Sequence, residues 1–319
     1  MKIIGTGSAH PKKVVTNKML AEMLDTSDEW IVSRSGIKER RVLSTETIED
    51  LGTDACNDAL MDANVKAEEI DYLICSNVVN EFITPGLGCV IQGNIGGHCP
   101  TIDVNCACAG FIYALQIADA FFKTNSEINK MLVVAAEAPG RMMSWKDRST
   151  CVLFGDGAGA VVLTRDQGAN HFKSFMTSTT SKYISLYQKR SMWPSPWTEI
   201  KEENTPVIMD GRDIFKLAVS HSMDDMDQVI EKAGISADDI DMYVLHQANI
   251  RIIEAVRKFL KQPKSKFPTN IEKYGNTSSA SIPMLLDELN KTNKLKKGNI
   301  LALSAFGAGF TTAACILEW

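Results

Sequence analysis

Short apolar runs alternate along the chain with longer segments in which apolar residues recur at helical spacing. The runs carry few polar side chains, and the clearest lie at 72–76, 131–136, 242–245 and 300–305. Such runs are typical of strands covered on both faces of a sheet. The longer segments, for example 51–63 and 214–233, have the period of an α-helix. The alternation predicts an α/β fold packed in layers.

The chain resembles itself at an offset of about 170 residues. Residues 63–71 (ANVKAEEID) match 233–241 (AGISADDID), and each copy follows a helical segment and precedes a short strand. Later in each copy, in the same order, a glycine-rich turn leads into a further strand, GDGAGAVVL at 155–163 and GAGFTTAACIL at 307–317. Two matches in one order indicate a duplicated α/β unit.

The two halves are expected to span residues 1–167 and 168–319, with the boundary near 166–170. Residues 177–206 are polar, interrupted by proline and without a counterpart in the first half, and they are interpreted as an inserted loop or flap. Residues 300–317 include no charged side chain. Their glycine, serine and threonine residues favour two buried strands joined by a turn over a membrane-spanning helix, so no membrane is expected as a partner.

Composition narrows the class of protein. Of the 319 residues, 45% are hydrophobic and 23% charged, which is typical of a globular protein. The formal charge of −5 excludes a protein that is basic overall and binds nucleic acid through that charge. No secretory signal is visible, and the eight cysteines form no C-x-x-C pair, which suits reduced thiols in the cytoplasm. The group of residues most like a metal site is His98, Cys99, Cys106 and Cys108. It lacks a second pair of closely spaced ligands, so no metal is expected.

Cys108 is the first candidate for chemistry. A short strand is predicted to end near Asn105, and a helical pattern follows Cys108. The free N–H groups and positive potential of a helix N-terminus favour a thiolate, so Cys108 is a candidate nucleophile, with a buried inert thiol as the alternative. Cys106 is interpreted as a structural residue within the strand.

His246 and Asn276 are two further candidates. His246 follows the strand at 242–245, and strand ends in open α/β sheets commonly line sites. Asn276 lies in the sequence YGNTSS, before a helical segment, where asparagine commonly serves only the turn. A structural role for each remains open on these grounds alone.

Taken together, the motifs resemble one known family almost end to end. The similar segments are 25–40 (DTSDEWIVSRSGIKER), 103–115 (DVNCACAGFIYAL), 154–163 (FGDGAGAVVL), 246–253 (HQANIRII), 274–281 (YGNTSSAS) and 305–310 (AFGAGF). They are similar to those of the β-ketoacyl-acyl-carrier-protein synthase III family, and the similarity weakens only across 167–206. The resemblance implies the thiolase fold, a layered α-β-α-β-α arrangement of two α/β halves about a pseudo-twofold axis.

The resemblance also implies a condensing enzyme that initiates fatty acid synthesis. Cys108 takes the acyl group from an acyl-CoA primer, and His246 and Asn276 donate hydrogen bonds to the thioester of malonyl-acyl carrier protein while it loses CO₂. The backbone N–H groups of Cys108 and of the turn around Ala308 hold the second oxyanion. Ala308 replaces the family's usual glycine, where a positive φ costs energy. Both thioesters are substrates, and no cofactor is expected.

Binding residues follow from the same resemblance. Trp30 and Arg34 are expected to clamp the adenine of CoA, with Arg148 nearby, because stacking and cation–π contact suit that base. Thr26 through Glu29 fit a capping box that begins a helix. Asn249 is expected to hold the pantetheine arm. The acidic carrier protein is expected to meet a basic rim formed by Lys216, Arg251, Arg257 and Lys258, of which the last two equally fit a solvated helix face.

Primer length is expected to depend on Thr84. In the family, which forms homodimers, the residue before Pro85 comes from the partner subunit and closes the acyl channel, and members restricted to acetyl-sized primers have phenylalanine there. Threonine is smaller, so a longer channel is predicted. The alternative is that Trp193, Trp197 or a nearby methionine fills the space.

Other classes of function stay open at this level. The divergent segment 177–206 lacks the family's usual Ser-Asp-Gly and contains two Trp-Pro neighbourhoods, around Trp193-Pro194 and Pro196-Trp197, which leaves room for a polyketide-type condensing enzyme. A non-catalytic acyl-carrier-binding scaffold requires a broken catalytic set, and none is broken here. A Cys-His hydrolase fits the three candidate residues but not the CoA clamp.

Overall fold

The structure is a computed structural model that describes residues 1–166, 168, 170–190, 196–197 and 204–319. The strands, in chain order, are β1 (Lys2–Ala9), β2 (Lys13–Thr16), β3 (Glu39–Val42), β4 (Tyr72–Ser76), β5 (Thr101–Val104), β6 (Lys130–Glu137), β7 (Gly157–Thr164), β8 (Phe172–Thr179), β9 (Leu186–Tyr187), β10 (Ile208–Met209), β11 (Met242–Leu245), β12 (Ile300–Gly307) and β13 (Thr311–Glu318). The helices are α1 (Asn17–Ala21), α2 (Asp28–Ser35), α3 (Ile48–Ala63), α4 (Leu87–Asn94), α5 (Gly110–Thr124), α6 (Gly211–Ala233), α7 (Ile250–Phe259), α8 (Ile271–Tyr274) and α9 (Ser281–Lys291).

The repeat in the sequence corresponds to two sheets with the same strand order. The first sheet runs β1-β7-β6-β4-β5, and the second, in the matching direction, runs β8-β13-β12-β11. In each sheet the first two neighbouring pairs are antiparallel and the third is parallel. β5 extends the first sheet by one further parallel pair. The predicted α/β fold of two similar units is therefore confirmed.

The matching segments at 63–71 and 233–241 fold alike because the same local devices recur. α3 ends at Asn64 with φ 51°, and α6 ends at Gly234 with φ 69°, the left-handed conformation that stops a helix. A short 3₁₀ turn follows in each copy, Ala67–Glu69 and Ala237–Asp239, and its third residue accepts a hydrogen bond from the backbone N–H three residues earlier. Each turn delivers the chain into a parallel strand.

The two sheets alternate with three layers of helices, one between the sheets and one on each outer face. α3 and α4 cover the outer face of the first sheet, and α6 and α7 cover the outer face of the second. α5 and α9 lie between the sheets and contribute residues such as Phe111, Leu115, Leu285 and Leu286, each at most 1% exposed. Burial of each such side chain stabilises the fold by roughly 1.5–3 kcal/mol. This is the predicted five-layer arrangement.

The stretch from 300 to 317 forms two antiparallel strands, β12 and β13, as predicted. Within the described part of the chain, no helix is long and apolar enough to cross a membrane. The boundary predicted near 166–170 falls between β7, which ends at Thr164, and β8, which begins at Phe172. The division into two halves at that point stays a prediction.

The interpretation of 177–206 as a loop is wrong at its first residues. Residues 177–179 complete β8, whose ladder with β13 extends to Thr179. Further on, β9 pairs with β10 outside the segment, so residues 186–187 are strand as well. Trp193 and Pro194 lie outside the described residues. Trp197 is 91% exposed.

Candidate active site

Cys108 lies on a tight connection between a strand and a helix, as predicted. β5 ends at Val104, a 3₁₀ turn spans Ala107–Ala109, and α5 begins at Gly110. The turn packs against the strands of the second half: Thr311 Oγ1 donates a hydrogen bond to the Cys106 carbonyl at 3.1 Å. A Cβ on Gly307 would lie 2.6 Å from the Cys108 backbone nitrogen, so glycine is required there to keep that N–H uncovered.

The burial of Cys108 opposes the thiolate that its place before a helix favours. Burial raises the pKa of the Cys108 thiol to about 12, and the nearby Glu137 carboxyl raises it too, whereas a hydrogen bond from Ser278 lowers it. These surroundings favour the thiol form of Cys108 over the thiolate. Cys106 also differs from expectation, because it lies beyond the end of β5 and is only half-buried.

His246 is held as a neutral hydrogen-bond donor. It follows β11 and is 3% exposed, and its backbone N–H continues the ladder to the Ser304 carbonyl. Ser281 Oγ accepts the Gln247 N–H at 3.2 Å and lies 2.7 Å from His246 Nδ1, and we assign the Ser281 hydroxyl as the donor to that nitrogen. Nδ1 accepts, so the ring proton is assigned to Nε2, which has no partner among the described residues. Burial lowers the pKa of His246 to about 3.

Asn276 is fixed through its backbone and its amide oxygen. Its N–H donates to the Leu153 carbonyl at 2.9 Å, and its carbonyl accepts from Gly155 N–H at 3.0 Å, so this residue of the second half is tied to the first. Asn276 Oδ1 accepts from Ser278 N–H at 2.9 Å. The amide NH₂ group is therefore left for the cavity.

The three candidates meet in one cavity of about 210 Å³, which Cys108, His246 and Asn276 line together with Phe306 and Gly307. The Phe306 ring packs edge-on against the His246 ring, with centroids 5.4 Å apart. The cavity thus joins one thiol to two neutral donors inside a mostly apolar wall. Such donors, fixed before reaction, stabilise negative charge developing on a substrate oxygen.

Ala308 does not carry the expected strain. In the turn between β12 and β13, the positive φ falls on Gly309, at 136°, so the alanine costs nothing there. Gly307 rather than Ala308 lines the cavity. The Ala308 carbonyl accepts a hydrogen bond from Thr311 Oγ1 at 3.0 Å.

A second cavity of about 590 Å³ leads outward from the first. The two share five lining residues, which makes them one passage: Ser149, Leu153, Gly211, Phe215 and Asn249. Four cationic side chains line the outer cavity: Arg34, Arg212, Lys216 and Arg251. No carboxylate is among its described lining residues. This concentration of positive charge suits a ligand with several phosphates.

Trp30 and Arg34, the residues predicted to clamp the base, both line this outer cavity, and Arg148 lies nearby as predicted. The Arg148 guanidinium lies over the Trp30 ring, 4.9 Å from its centroid, whereas Arg34 lines the cavity wall. Asn249 caps α7 by accepting from Arg251 N–H and donates to the Arg34 carbonyl.

The helix that carries Trp30 begins one residue later than predicted. Ser27 rather than Thr26 caps α2 and accepts the Trp30 N–H. Glu29 therefore does not occupy the third helical position that the predicted capping box requires.

The other predicted binding residues are spread over the surface. Lys216 and Arg251 line the outer cavity, but Arg257 is paired with Glu254 on its own helix at 2.9 Å. Lys258 is exposed. Thr84 is exposed and lies outside both cavities of the single chain.

Sequence reasoning missed several residues of the site. Glu137 is a charged residue at the end of an apolar strand, and charged residues are seldom fully buried without a partner. Its position in the sequence could therefore have indicated a site residue. The run of hydroxyl side chains that contains Ser278 and Ser281 was a second signal. Arg212 gave no signal. Nowhere in the described ranges do three His, Cys, Asp or Glu side chains come together to hold a metal ion.

Comparison with known proteins agrees with this geometry. The family model described as 3-oxoacyl-[acyl-carrier-protein] synthase III matches residues 102–181, and its C-terminal counterpart matches 230–319. A relative from Caldanaerobacter subterraneus subsp. tengcongensis, β-ketoacyl-[acyl-carrier-protein] synthase III, is 42% identical over 99% of this chain and 97% of its own.

Solved structures agree as well. The crystal structure of 3-oxoacyl-[acyl-carrier-protein] synthase III from Aquifex aeolicus superposes with a TM-score of 0.93 at 40% identity, covering 100% of this chain and 99% of that one. The priming β-ketosynthase of a polyketide biosynthetic pathway gives a TM-score of 0.93 at 32% identity, covering 99% and 95%. Fold and cavity thus define a condensing enzyme of the thiolase fold. Within that class, the chain belongs to the 3-oxoacyl-[acyl-carrier-protein] synthase III family.

Proposed function

We propose that the protein condenses an acyl-CoA primer with malonyl-acyl carrier protein, releasing CO₂, CoA and a β-ketoacyl-acyl carrier protein. Membership of the family makes it an acyltransferase at the start of fatty acid synthesis. The observation that supports the roles below is the cavity in which Cys108, His246 and Asn276 meet at the end of a cationic passage. No cofactor takes part in the proposed steps, and the cytoplasm is the proposed location.

In the first step Cys108 attacks the acyl thioester and retains the acyl group. A covalent intermediate divides one difficult condensation into two easier steps. The oxyanion that forms is stabilised by the backbone N–H of Cys108, which Gly307 leaves uncovered. The second donor is the N–H of Ala308, the role that the family resemblance implies for the residue directly after Gly307 at the cavity wall. Backbone donors of this kind act without reorganisation during the reaction.

In the second step His246 and Asn276 stabilise the enolate of the malonyl thioester. His246 Nε2–H and the Asn276 NH₂ group are donors with their other polar atoms already bonded. Loss of CO₂ places negative charge on the thioester oxygen, and two fixed donors in a mostly apolar cavity lower the energy of that state. The resulting carbanion attacks the acyl group on Cys108.

Both substrates reach Cys108 through the outer cavity in this proposal. The adenine of CoA lies at Trp30 and Arg148, the phosphates lie among Arg34, Arg212 and their neighbours, and the pantetheine arm passes Asn249. The carrier protein docks on the basic rim. Lys216 and Arg251 face the passage and are the stronger candidates for that contact, while Arg257 and Lys258 extend the rim along α7.

The protein is also proposed to be a homodimer, with a surface around Thr84 at the interface. Phe82 and Ile83, beside Thr84, are 47% and 68% exposed in the single chain, an arrangement that a partner subunit would cover. In this arrangement Thr84 of each chain closes the acyl channel of the partner. We also propose that the chain divides into halves between residues 167 and 168, since each half then supplies part of the site.

Primers longer than acetyl are expected to acylate Cys108, because threonine at position 84 leaves more room than phenylalanine. Each admitted methylene gains roughly 0.8 kcal/mol on burial. Thr84→Phe is expected to shift the preference toward acetyl-CoA. Steady-state rates with acetyl-, butyryl- and octanoyl-CoA test this. If only acetyl-CoA is a substrate of the unaltered protein, Thr84 does not set the length.

A covalent acyl adduct separates the proposed enzyme from a carrier-binding scaffold. After the protein is mixed with a panel of acyl-CoA thioesters, intact-mass spectrometry is expected to show one acyl group per chain. A hydrolase would release the free acid when no malonyl-acyl carrier protein is present, whereas the proposed enzyme holds the adduct. Absence of any adduct across the panel would exclude the proposed reaction.

A polyketide-type priming reaction is the second candidate. The likeness to a priming β-ketosynthase of a polyketide pathway favours it, since the same cavity chemistry serves both. Rates with a fatty acid carrier protein and with a polyketide carrier protein, each malonylated, distinguish the two.

A further inference from the structure

Glu137 is a fully buried carboxyl group with no cationic partner among the residues that the structure describes. It ends β6, is 0% exposed, and pairs in the sheet with Gly157. Its Oε1 atom accepts hydrogen bonds from Ser279 Oγ at 2.5 Å and Ser278 Oγ at 3.2 Å, and Oε2 accepts from Val78 N–H at 3.2 Å. A buried carboxyl group without a counter-charge is costly, which suggests a role beyond packing.

Ser278 links this carboxyl group to the nucleophile. Its Oγ atom lies 3.2 Å from Glu137 Oε1 and 3.4 Å from Cys108 Sγ. The residue has φ 53°, a left-handed backbone that residues with side chains seldom adopt, and such strain concentrates at functional sites. The Ser278 hydroxyl carries one proton, and both Cys108 Sγ and Glu137 Oε1 lie within reach of it. If Ser278 Oγ takes up a proton from the thiol, it can pass its own hydroxyl proton to the carboxyl group.

His246 does not offer a free base at this point. In the tautomer assigned above, its Nδ1 atom accepts from Ser281 and its Nε2 atom carries the ring proton. A thiol that attacks a thioester must lose its proton, because the thiolate is the nucleophile. Among the described residues, the path through Ser278 to Glu137 is the one that connects Cys108 Sγ to a carboxyl group by hydrogen bonds.

We propose that Glu137 receives the Cys108 thiol proton through Ser278 during acylation. The thiol proton moves to Ser278 Oγ, the Ser278 hydroxyl proton moves to Glu137 Oε1, and the sulfur electron pair forms the bond to the acyl carbon. The C–S bond to CoA breaks, and the CoA thiolate takes a proton from solvent. In condensation the bond from Cys108 to the acyl carbon breaks, and the proton returns to sulfur by the same path. This inference rests on the proposed role of Cys108.

The surroundings of Glu137 suit a group that both accepts and releases a proton. Burial raises the pKa of Glu137 to about 7, and the hydrogen bonds from Ser279, Val78 and Ser278 limit the rise. The titratable groups that face it are the thiols of Cys75 on β4 and of Cys108. β7 and the turn at Ser278–Ala280 bring no charged side chain. A proton acceptor works best with a pKa near the working pH.

The pH dependence of acylation in a single turnover tests the path. With acyl-CoA in excess and intact mass as the readout, the rate for the unaltered protein is expected to rise with pH through about 7, because only the ionised carboxylate accepts a proton. Glu137→Gln is expected to acylate about a hundredfold more slowly, in the range for loss of a general base, and without that inflection. A purely structural role would lower the melting temperature and leave the inflection in place.

Ser278→Ala and Ser279→Ala form a matched pair, since both side chains contact Glu137 and only Ser278 contacts Cys108. Ser278→Ala is expected to slow acylation at every pH, as the path is broken. Ser279→Ala is expected to move the inflection to higher pH with a smaller loss of plateau rate, because its hydrogen bond lowers the pKa of Glu137.

The inference is overturned if Glu137→Gln retains both the rate and the inflection, or if Ser278→Ala and Ser279→Ala behave alike. Should Glu137→Gln fail to fold, the serine pair decides alone. Failure of the proposed function looks different, because the unaltered protein would then form no adduct on Cys108 at any pH.

Discussion

Cys108→Ala is expected to abolish acyl transfer, with no acyl adduct detectable by intact-mass spectrometry. Cys108 is the thiol that lies in the cavity with both hydrogen-bond donors, and alanine leaves no atom to hold the acyl group. Removal of a nucleophile typically costs several orders of magnitude in rate. This is the largest effect expected from any single substitution in the chain.

Cys106→Ala is the matched control, since the same atoms are removed two residues away. Cys106 does not line either described cavity, and most of the acylation rate is expected to remain. Peptide mapping of the adduct provides the decisive comparison. An acyl group found on Cys106, or transfer that persists in Cys108→Ala, would contradict the assignment.

His246→Ala and Asn276→Ala are each expected to lower malonyl-acyl carrier protein decarboxylation by roughly two or more orders of magnitude, the range for loss of one oxyanion donor. Both variants should still accept an acyl group on Cys108 to a measurable extent, because their donors act on the second substrate. Decarboxylation is followed as CO₂ release, and acylation as intact mass. Unchanged decarboxylation in both variants would show that the donors act elsewhere.

Decarboxylation and acylation are expected to differ in their response to acid. Burial lowers the pKa of His246 to about 3, so its neutral donor form persists as the pH falls from 8 to 5, and decarboxylation should not decline through this residue. Acylation should decline over the same range as Glu137 takes up a proton, since its pKa is about 7. Parallel pH profiles for the two half-reactions would contradict this separation of roles.

Much of the fold was predictable because it depends on local pattern. Continuous apolar runs identified β4, β6, β11 and β12, and a repeated helix stop explains why residues 63–71 and 233–241 look alike. Cys108 and His246 stand at strand ends, where chain direction alone brings side chains to the edge of a sheet. Asn276 could be predicted as a site residue only because the segment around it, YGNTSSAS, resembles that of the family.

The supporting network was not predictable from pattern, because it forms where the two halves meet. Glu137 and Ser278 are 141 positions apart, and no periodicity relates them. The rise in the pKa of Cys108 was missed for the same reason: its helix was visible in the sequence, whereas the burial that raises the pKa depends on packing from both halves. Ala308 was expected to carry strain that the turn places on Gly309.

The most direct measurement of the central claim follows the carrier protein through one complete reaction. The unaltered enzyme is mixed with acetyl-CoA or butyryl-CoA and malonyl-acyl carrier protein, and the carrier protein is then weighed by mass spectrometry while CO₂ is counted. The carrier protein is predicted to hold a β-ketoacyl group two carbons longer than the primer, with one CO₂ released for each. Free acid, or a primer moved to the carrier protein without a new carbon–carbon bond, would contradict it.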